Sequence, residues 1–255
     1  MRCPTELPAA AADVLLRVRA RRPRVHCITN SVAQAYTANA LLAIGAVPSM
    51  TVAVDEIGEF VASADALLVN LGTMDPERHE AVGIAVEEAR ESGRPWVLDP
   101  VLVDRSPPRA AFAKCLVRGG PAALRLNAAE FETLAGTPSL PQACAAFARE
   151  LVGVVALTGK NDFVSDGKRQ VMIDNGDPLM AKVTAMGCAA SAIIAACLAV
   201  ERDAWLAALS GLTLIGIAGE IAAEQAAGPG TLASGVLDAL HALDAQSVTQ
   251  RARMK

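Results

Sequence analysis

The stretch DALLVNLGTMDPERHEAVGIAVEEARESGRPWVLDP, residues 65–100, decides the fold class. Its first eight residues form an apolar run that ends at Gly72, as is typical of a buried parallel strand. Residues 75–93 show the spacing of an amphipathic helix, with a proline near the start and Gly93 at the end. A second apolar run, 95–100, is ended by its proline. A strand, a helix and a strand in this order predict a right-handed β-α-β unit in a parallel sheet.

The same alternation extends over most of the chain. Further strands are predicted at 24–29, 46–52, 122–127 and 153–159, with helices at 31–45, 56–64, 127–135 and 140–150. Residues 162–173 predict a hairpin that turns at Asp166-Gly167, and helices follow at 186–200, 203–224 and 231–243. Neither a linker nor an internal repeat divides the sequence. We therefore expect one α/β domain over residues 1–255, with a mostly parallel sheet and helices on both faces.

Charge and composition exclude several classes of function. The net charge is −4, and no long stretch is strongly basic, which gives little electrostatic support for nucleic-acid or membrane-surface binding. The five arginines between residues 17 and 24 are expected to end an N-terminal helix, where cations are favoured. The six cysteines form no C-x-x-C pair and the three histidines lie far apart, so a zinc site is not indicated.

Hydrophobic patterning bears on location in the cell. Residues 183–200 carry no charge, but they are rich in Ala, Cys, Ser and Thr and lack orienting charge asymmetry at their ends, so a buried helix is expected rather than a membrane span. The first twenty residues lack the layout of a signal peptide. Reduced thiols in a cytoplasmic protein are the expectation.

Polar residues follow the predicted strands where those strands end. Ligands of open parallel sheets bind beyond the carboxyl ends of the strands, so these residues define a candidate site. They are Asn30, Asn70, Asp99, Asn127 and Thr158.

Asp99 and the motif RLNAAE, residues 125–130, each allow two interpretations. Asp99 either caps the next segment or binds magnesium, which commonly takes one or two carboxylates together with substrate phosphates. Asn127 and Glu130 match a capping box at the start of a helix, with Asn in place of Ser or Thr. The capping box leaves Arg125 unexplained, because an arginine near a strand end needs an anionic partner.

Two further motifs suggest contacts with phosphate. ALTGK, which contains Thr158 and Gly159, follows a strand, but it is not a Walker A motif, and no G-x-G-x-x-G follows any strand. VTAMGC places Thr184, Gly187 and Cys188 at the start of a long helix, where free N–H groups favour anions. A thiol there is expected to have a lowered pKa. The alternative is that Cys188 only packs in the core.

Seven motifs in order resemble the hydroxyethylthiazole kinase family. They are VHCITNSVAQAYTANALLAIGAVPSM, ALLVNLGTM, PWVLDPV, RLNAAE, ALTGKNDFVSDG, NGDPLMAKVTAMGC and GPGTLASGVLDAL, and they span about residues 25–240. The resemblance implies a ribokinase-like α/β fold, in three layers. It also implies transfer of phosphate from ATP to the primary alcohol of 4-methyl-5-(2-hydroxyethyl)thiazole, in thiamine salvage.

The resemblance also implies roles for individual residues. Those matching the thiazole pocket are Met50, Asn30, Gly72, Thr73 and Ala185. Those on the ATP side are Arg125, Thr158 and Gly187. Asp99 and Glu130 match carboxylates that serve Mg²⁺ and the phosphates. Cys188 matches a cysteine where other ribokinase-like enzymes have an aspartate base, which implies a catalytic role, part base and part orientation of the alcohol. The family implies a homotrimer with thiazole sites between subunits.

Departures from the family pattern cluster near the same motifs. Leu102, Asp104 and Arg105 replace small residues, and Leu126 and Ala185 replace glycines. If the position of Ala185 needs a positive φ, alanine costs on the order of 1 kcal/mol there. These departures keep two alternatives open: a kinase of another small hydroxymethyl heterocycle, such as a pyrimidine alcohol, and a binding protein that has lost catalysis.

Overall fold

The computed structural model describes residues 6–151 and 153–255, and an eight-stranded sheet organises them. The strands are β1 Arg24–Ile28, β2 Val47–Ser49, β3 Ala66–Asn70, β4 Trp96–Asp99, β5 Ala123–Asn127, β6 Val154–Thr158, β7 Asp162–Ser165 and β8 Gln170–Ile173. Their order is β2-β1-β3-β4-β5-β6-β7-β8. All pairs from β2 to β6 are parallel, and β7 and β8 add antiparallel strands.

Helices cover both faces of this sheet. They are α1 Leu7–Arg21, α2 Gln34–Ala43, α3 Ile57–Ser63, α4 Pro76–Glu91, α5 Pro107–Arg118, α6 Ala128–Ala135, α7 Pro141–Leu151, α8 Met186–Leu198, α9 Ala204–Ala223, α10 Pro229–Ala242 and α11 Ala245–Arg251. One apolar core joins the sheet to α1, α2 and α8–α11, and a second joins its other face to α3–α7. The predicted three-layer α/β architecture is confirmed. That a single domain extends over the whole chain, 1–255, stays a prediction.

The structure differs from the sequence expectations in a few elements. Helices α5 and α11 were not anticipated from the pattern. The strand expected at 46–52 is shorter, Val47–Ser49, so that Met50 follows the strand instead of lying within it. The hairpin is confirmed, and Gly167 in its turn has φ +83°.

The two longest apolar stretches form interior helices. Among the described residues, only α9 is long and apolar enough to cross a membrane by length and composition, and 83% of its apolar window is buried inside the fold. A Cβ on Gly211 of α9 would lie 2.9 Å from Cγ1 of Ile194 in α8. The glycine therefore lets these two helices approach closely, and the absence of charge reflects burial between layers of the domain.

The N-terminal arginines fasten α1 to neighbouring elements. Arg17 donates to the backbone oxygen of Val200 and pairs with Glu201 at 2.6 Å, and Arg21 donates to Ala199 O. Arg19 donates to the backbone oxygens of Leu240 and His241 in the last turn of α10 and of Leu243 just after it. Arg19 and Arg21 lie in the last turn of α1, where the sequence placed them. These contacts give the basic cluster a structural role.

The start of α9 provides a test of the fold. Asp203 is the N-cap of α9, and its Oδ1 accepts from the N–H groups of Trp205 and Leu206. The carboxylate also receives two hydrogen bonds from Arg169, at 2.6 and 2.8 Å, and that guanidinium lies 4.6 Å from the Trp205 ring.

We expect Asp203→Ala to lower the free energy of unfolding by about 1–2 kcal/mol, because the cap and the bidentate pair are both lost. Asp203→Asn keeps a capping acceptor and should recover part of that loss. Urea unfolding measures both variants. The control Asp13→Ala removes an exposed ion pair with Arg17 and should change stability by less than about 0.5 kcal/mol; equal losses at Asp13 and Asp203 would contradict the prediction.

Candidate functional site

The carboxyl ends of the parallel strands bring the predicted site residues to one rim of the sheet. In spatial order, β1, β3, β4, β5 and β6 end at or just before Asn30, Asn70, Asp99, Asn127 and Thr158. The N-terminus of α8 reaches the same rim, because α8 packs over β1, β3 and β4. The residues predicted at the strand ends therefore lie along one continuous site, with Asp99 near its middle.

Asp99 is completely buried and is held by hydrogen bonds on one oxygen. Its Oδ2 accepts from Asn70 Nδ2 at 2.9 Å and from Ser191 Oγ at 2.7 Å. Asn70 is its register partner on β3, and Ser191 lies one turn into α8. Its Oδ1 accepts no hydrogen bond from the described residues. Oδ1 is therefore the oxygen that remains for a ligand.

Burial sets the charge state of this carboxyl. Desolvation raises the pKa of Asp99 to about 6, and the nearby carboxylate of Glu130 adds to the rise. Arg125, whose Nη1 lies 3.8 Å from Oδ1, opposes it, as do the hydrogen bonds from Ser191 and Asn70. The group is ionised at neutral pH, at a cost in stability that the neighbouring donors only partly offset.

Arg125 lies between this carboxylate and the start of α8. A Cβ on Gly187 would lie only 2.7 Å from Nη1 of Arg125, so a glycine is required for the guanidinium to rest against the helix terminus. Nε of Arg125 is buried and without a hydrogen-bond partner among the described residues. Arg125, which the capping box left unexplained, thus has an anionic neighbour and still has an N–H group available to a ligand.

Cys188 follows Gly187 and is buried. Its Sγ receives hydrogen bonds from Asn30 Nδ2 at 3.4 Å and from Asn70 Nδ2 at 3.3 Å. Desolvation, together with the negative charge of Asp99, raises the pKa of the thiol to about 12. The expected lowering of the Cys188 pKa is therefore wrong. The helix terminus favours a thiolate, but burial beside a carboxylate outweighs that effect.

The loop after β3 is fitted closely to Asn30. A Cβ on Gly72 would lie 2.5 Å from Cβ of Asn30, which excludes a side chain at this position. Thr73 adopts φ +47° and its Oγ1 accepts from the N–H of Ser31. Oδ1 of Asn30 is buried with no hydrogen-bond partner in the described part of the chain. The loop thus leaves one buried acceptor beside Cys188.

Ala185 is the N-cap of α8 and has φ +73°. A cost was expected if this position needs a positive φ, and the backbone here does adopt the left-handed region. Alanine costs about 1 kcal/mol or more there relative to glycine. Leu102, another departure from the family pattern, also has a positive φ, +59°. With Thr73, three strained non-glycine residues lie in the loops at this rim, which is where backbone strain typically accompanies function.

Glu130 orders the loop that follows β4. It forms a complete capping box with Asn127, as the sequence predicted. Its Oε2 accepts from Asn127 N and its Oε1 accepts from Leu102 N, both at 2.9 Å. Each oxygen therefore already binds a main-chain N–H. Its direct binding of metal stays a prediction, and its observed role is to join β5 to the 100–106 loop.

The end of the rim formed by β5 and β6 contains an acidic residue that sequence reasoning missed. Thr158 Oγ1 donates to Leu126 O at 3.3 Å, and Gly159 N donates to Oδ1 of Asp162 at 3.0 Å. Burial raises the pKa of Asp162 to about 6, opposed by that hydrogen bond and by Arg125. Its position three residues after Gly159, where it closes the turn, was the available signal.

Ser191 was also missed. It occurs four residues after Gly187 in an otherwise apolar helix, so it faces the same side of α8 as the rim.

Met50 is half-buried beyond β2 and packs against the core that includes α2 and α8. Thr158 and Met50 therefore lie on opposite flanks of Asp99. Strand β5 separates Thr158 from Asp99, and strands β1 and β3 separate Met50 from it.

No three His, Cys, Asp or Glu side chains within 6–151 and 153–255 cluster closely enough to hold a metal by themselves. The rim offers a buried carboxylate oxygen that has no hydrogen bond from the described residues, Asp99 Oδ1, with Glu130 nearby. This donor set fits Mg²⁺, which keeps several waters and usually binds through one or two carboxylates and substrate phosphates. It does not fit a metal held in a closed cage of protein ligands.

Comparisons with known proteins agree with this geometry. Residues 15–246 match the model of the hydroxyethylthiazole kinase family. A probable hydroxyethylthiazole kinase of Agrobacterium fabrum is 44% identical over 247 residues, which cover 97% of this chain and 95% of the relative. The structure of a hydroxyethylthiazole kinase protein from Pyrococcus horikoshii superposes with a TM-score of 0.93 at 36% identity, covering 96% of this chain and 98% of the other.

A more distant likeness concerns the fold alone. A ribokinase-like superfamily protein from Enterococcus faecalis superposes with a TM-score of 0.65 at 13% identity, covering 87% of this chain and 88% of that one. The ribokinase-like architecture expected from the motif order is confirmed.

The titration of Asp99 can be measured through stability. An acid whose pKa is higher in the folded state than in the unfolded state binds more protons when folded, so its contribution to stability falls as pH rises between those two values. For Asp99 this window runs from about 4 to about 6.

We expect the stability of Asp99→Asn relative to wild type to rise by about 1–3 kcal/mol between pH 4 and pH 7, since one pKa unit corresponds to about 1.4 kcal/mol. Comparing the pH dependence of the two proteins removes the constant effects of the substitution. Chemical unfolding at several pH values provides the measurement. A stability difference independent of pH would show that Asp99 is not desolvated as described.

Proposed function

The chain belongs to the hydroxyethylthiazole kinase family, and we propose that it transfers the terminal phosphoryl group of ATP to the primary alcohol of 4-methyl-5-(2-hydroxyethyl)thiazole, in thiamine salvage. It is a phosphotransferase with a ribokinase-like fold. A cytoplasmic location, where the thiols stay reduced, agrees with the exposed cysteine at position 115 and with the interior position of α9.

One observation carries the proposal: unpaired polar atoms converge at the rim. Six buried side-chain N or O atoms of the described residues lack a hydrogen-bond partner, and four of these belong to Thr29, Asn30, Asp99 and Arg125. Buried polar atoms are nearly always paired in folded proteins, so a concentration of unpaired ones at a strand-end rim supports a ligand site. The atoms include an acceptor for a hydroxyl, a carboxylate oxygen and a guanidinium nitrogen.

The two substrates are proposed to bind on opposite flanks of Asp99. The alcohol lies toward β2, β1 and β3, where Met50, Asn30, Gly72 and Thr73 are found, with Ala185 at the start of α8. The nucleotide lies toward β5 and β6, where Arg125 and Thr158 are found. The hydroxyl and the terminal phosphate then meet below the N-terminus of α8. Transfer between them is mainly a matter of positioning and charge stabilisation.

The N-terminus of α8 is suited to the moving phosphoryl group. The N–H groups at Gly187 and Cys188 lie in its first turn, and the helix dipole favours negative charge there. Arg125 lies against Gly187 and adds a positive charge that is already in place before the reaction. Mg²⁺, bound through Asp99 and with Glu130 nearby, would neutralise phosphate charge when present.

Cys188 is proposed to orient the alcohol. A thiol with a pKa of about 12 stays protonated at neutral pH, and the sulfur of a neutral thiol is only a very weak base, which favours orientation over general-base catalysis. Its Sγ is fixed by two asparagine amides, one of which, Asn70, also holds Asp99. A loose transition state requires little early deprotonation of the alcohol, so orientation at this position is sufficient.

A homotrimer with alcohol sites at subunit interfaces is proposed from the family. Exposed apolar side chains on the alcohol side of the sheet support it: Val32 is 71% exposed, and Leu42, Val47 and Phe60 are exposed as well. They lie on or beside α2, β2 and α3, so a second copy packing there would border the segment that contains Met50.

Steady production of ADP tests the proposed reaction. We expect turnover with ATP, Mg²⁺ and the thiazole alcohol, and none with the thiazole lacking its hydroxyl. A pyrimidine alcohol serves as the competing acceptor, suggested by the departures at Ala185 and Leu102. Turnover only with the pyrimidine would replace the substrate assignment. ATP binding without transfer to either acceptor would favour the alternative of a binding protein.

Arg125→Ala is expected to raise the KM for ATP by about ten- to hundredfold, the range expected for losing hydrogen bonds to a charged group. The fold should persist, because the buried Asp99 carboxyl can protonate when its cationic neighbour is removed. Steady-state kinetics and circular dichroism measure the two effects. Arg90→Ala, which removes only an exposed pair with Glu87 on α4, is the control and should leave both unchanged. An unfolded Arg125→Ala protein would contradict the assignment.

Cys188→Ser is expected to lower kcat by about ten- to hundredfold, less than the loss of a full general base. The serine oxygen can still accept from Asn30 and Asn70, so orientation is partly retained. The pH profile of kcat separates the roles between pH 6 and 9. If Cys188 were a base with a high pKa, the kcat of the wild type would rise with pH and the kcat of Cys188→Ser would not. If Cys188 only orients the alcohol, the kcat of both proteins should depend on pH in the same way. Unchanged turnover would make the cysteine purely structural.

A further inference from the structure

His26 is a buried histidine that the site described above does not use. It lies on β1, its side chain is inaccessible to solvent, and its register partner on β2 is Ser49. The imidazole Nδ1 lies 2.8 Å from Ser49 Oγ, and Nε2 lies 3.1 Å from the backbone oxygen of Thr51. One ring therefore contacts the residues immediately before and after Met50.

The partners determine the tautomer of this ring. A carbonyl oxygen only accepts hydrogen bonds, so Nε2 must carry the proton and donate to Thr51 O. Nδ1 is then the acceptor, and Ser49 Oγ donates to it. Burial lowers the pKa of His26 to about 4, opposed by the Thr51 bond and by the Glu56 carboxylate. The neutral ring therefore makes both contacts at physiological pH.

The segment that His26 contacts has little other regular support. Strand β2 ends at Ser49, and residues 50–53 belong to no helix or strand. Thr51 Oγ1 bonds to the Glu56 carboxylate and accepts from Ala53 N at 3.3 Å, which ties Thr51 to the start of α3. The link from Thr51 back to the sheet runs through the imidazole. His26 is thus the point at which this segment is joined to β1.

The contacts on either side of Met50 give this link a direction. Ser49 and Thr51 face His26, on the side of β1 that bears Ile28 and the core formed with α3–α7. Met50, between them, packs against the opposite core, which includes α2 and α8. Holding Ser49 and Thr51 on one side of β1 leaves Met50, between them, directed to the other side.

We infer that His26 is a positioning residue, which holds Met50 toward the core that includes α2 and α8 and thereby shapes the alcohol side of the site. The assignment of Met50 to the alcohol rests on the proposed function. The orientation of Met50 by His26 is a separate statement about the protein alone. The experiment therefore has one readout that depends on catalysis and one that does not.

The first readout is steady-state kinetics of His26→Ala, with His26→Gln as the conservative variant. The amide of Gln reaches the Nε2 position and can donate to Thr51 O. We expect His26→Ala to raise the KM for the thiazole alcohol by about tenfold, with kcat and the KM for ATP nearly unchanged. This pattern is expected when a lost contact had stabilised the bound substrate and the transition state equally. His26→Gln should recover much of the loss. Ser49→Ala, which removes the other contact, should show a smaller rise in the same KM.

The second readout is the rate at which peroxide oxidises Met50, followed by mass spectrometry of peptides. Met180 and Met254, which are also half-buried, serve as internal references. In His26→Ala we expect Met50 to oxidise about threefold faster or more relative to the references, since oxidation follows exposure of the sulfur. His26→Gln should again lie between wild type and His26→Ala.

Val82→Ala is the control for a general loss of stability. Val82 is completely buried on α4, on the same side of the sheet as His26, and its truncation leaves the 49–51 contacts intact. If Val82→Ala changes the alcohol KM and Met50 oxidation as much as His26→Ala does, or if His26→Ala changes neither, the inference is overturned.

Failure of the proposed function is distinguishable from failure of this inference. A wild-type protein that turns over a different alcohol, or none, refutes the substrate assignment, and the oxidation rates then decide whether His26 positions Met50. Faster Met50 oxidation with an unchanged alcohol KM would show that His26 orients Met50 but that Met50 does not contact the alcohol, which overturns the functional part.

Discussion

Burial of the Asp99 carboxylate at the end of β4 imposes the arrangement of the residues around it. A charge removed from water needs donors and a counter-charge, and here they come from three elements: Asn70 on β3, Ser191 on α8 and Arg125 on β5. Each contact ties a different part of the rim to the same carboxylate. The compensation is incomplete, because the pKa of Asp99 remains raised and one oxygen receives no hydrogen bond from the described part of the chain. The uncompensated charge and the unpaired oxygen of Asp99 make the site suitable for a cation and a phosphate.

Close approach of backbone and side chains is the second constraint, and it depends on the first. Arg125 reaches Asp99 only by lying against the start of α8, where Gly187 offers no side chain. Asn30 reaches Cys188 while packed against Gly72. The loops that permit these contacts contain strained residues, Thr73 and Ala185 among them. The rim therefore concentrates desolvation and strain that the apolar cores on both faces of the sheet must offset, as is common at functional sites.

The capping box illustrates how one residue can satisfy both a local and a tertiary role. Asn127 and Glu130 form the box that their spacing predicts, and this local explanation is correct. Glu130 also accepts from the N–H of Leu102, twenty-eight residues earlier, and its charge raises the pKa of Asp99. A local motif thus fixes the geometry of a distant loop, the one that contains the departure from the family pattern at Leu102.

The sequence by itself determined the alternation of strands and helices, the parallel sheet and the set of polar residues at strand ends, because these follow from periodicity and from turn-forming residues. It did not reveal α5, although Ser106 caps that helix and a proline begins it, or the short α11. Only the tertiary structure decided the chemistry of Cys188, whose thiol pKa is raised instead of lowered. It likewise decided the roles of Ser191, Asp162 and His26. The physical reason is that desolvation and hydrogen bonding depend on groups brought together from distant parts of the chain, whereas helix dipoles and caps act within a few residues.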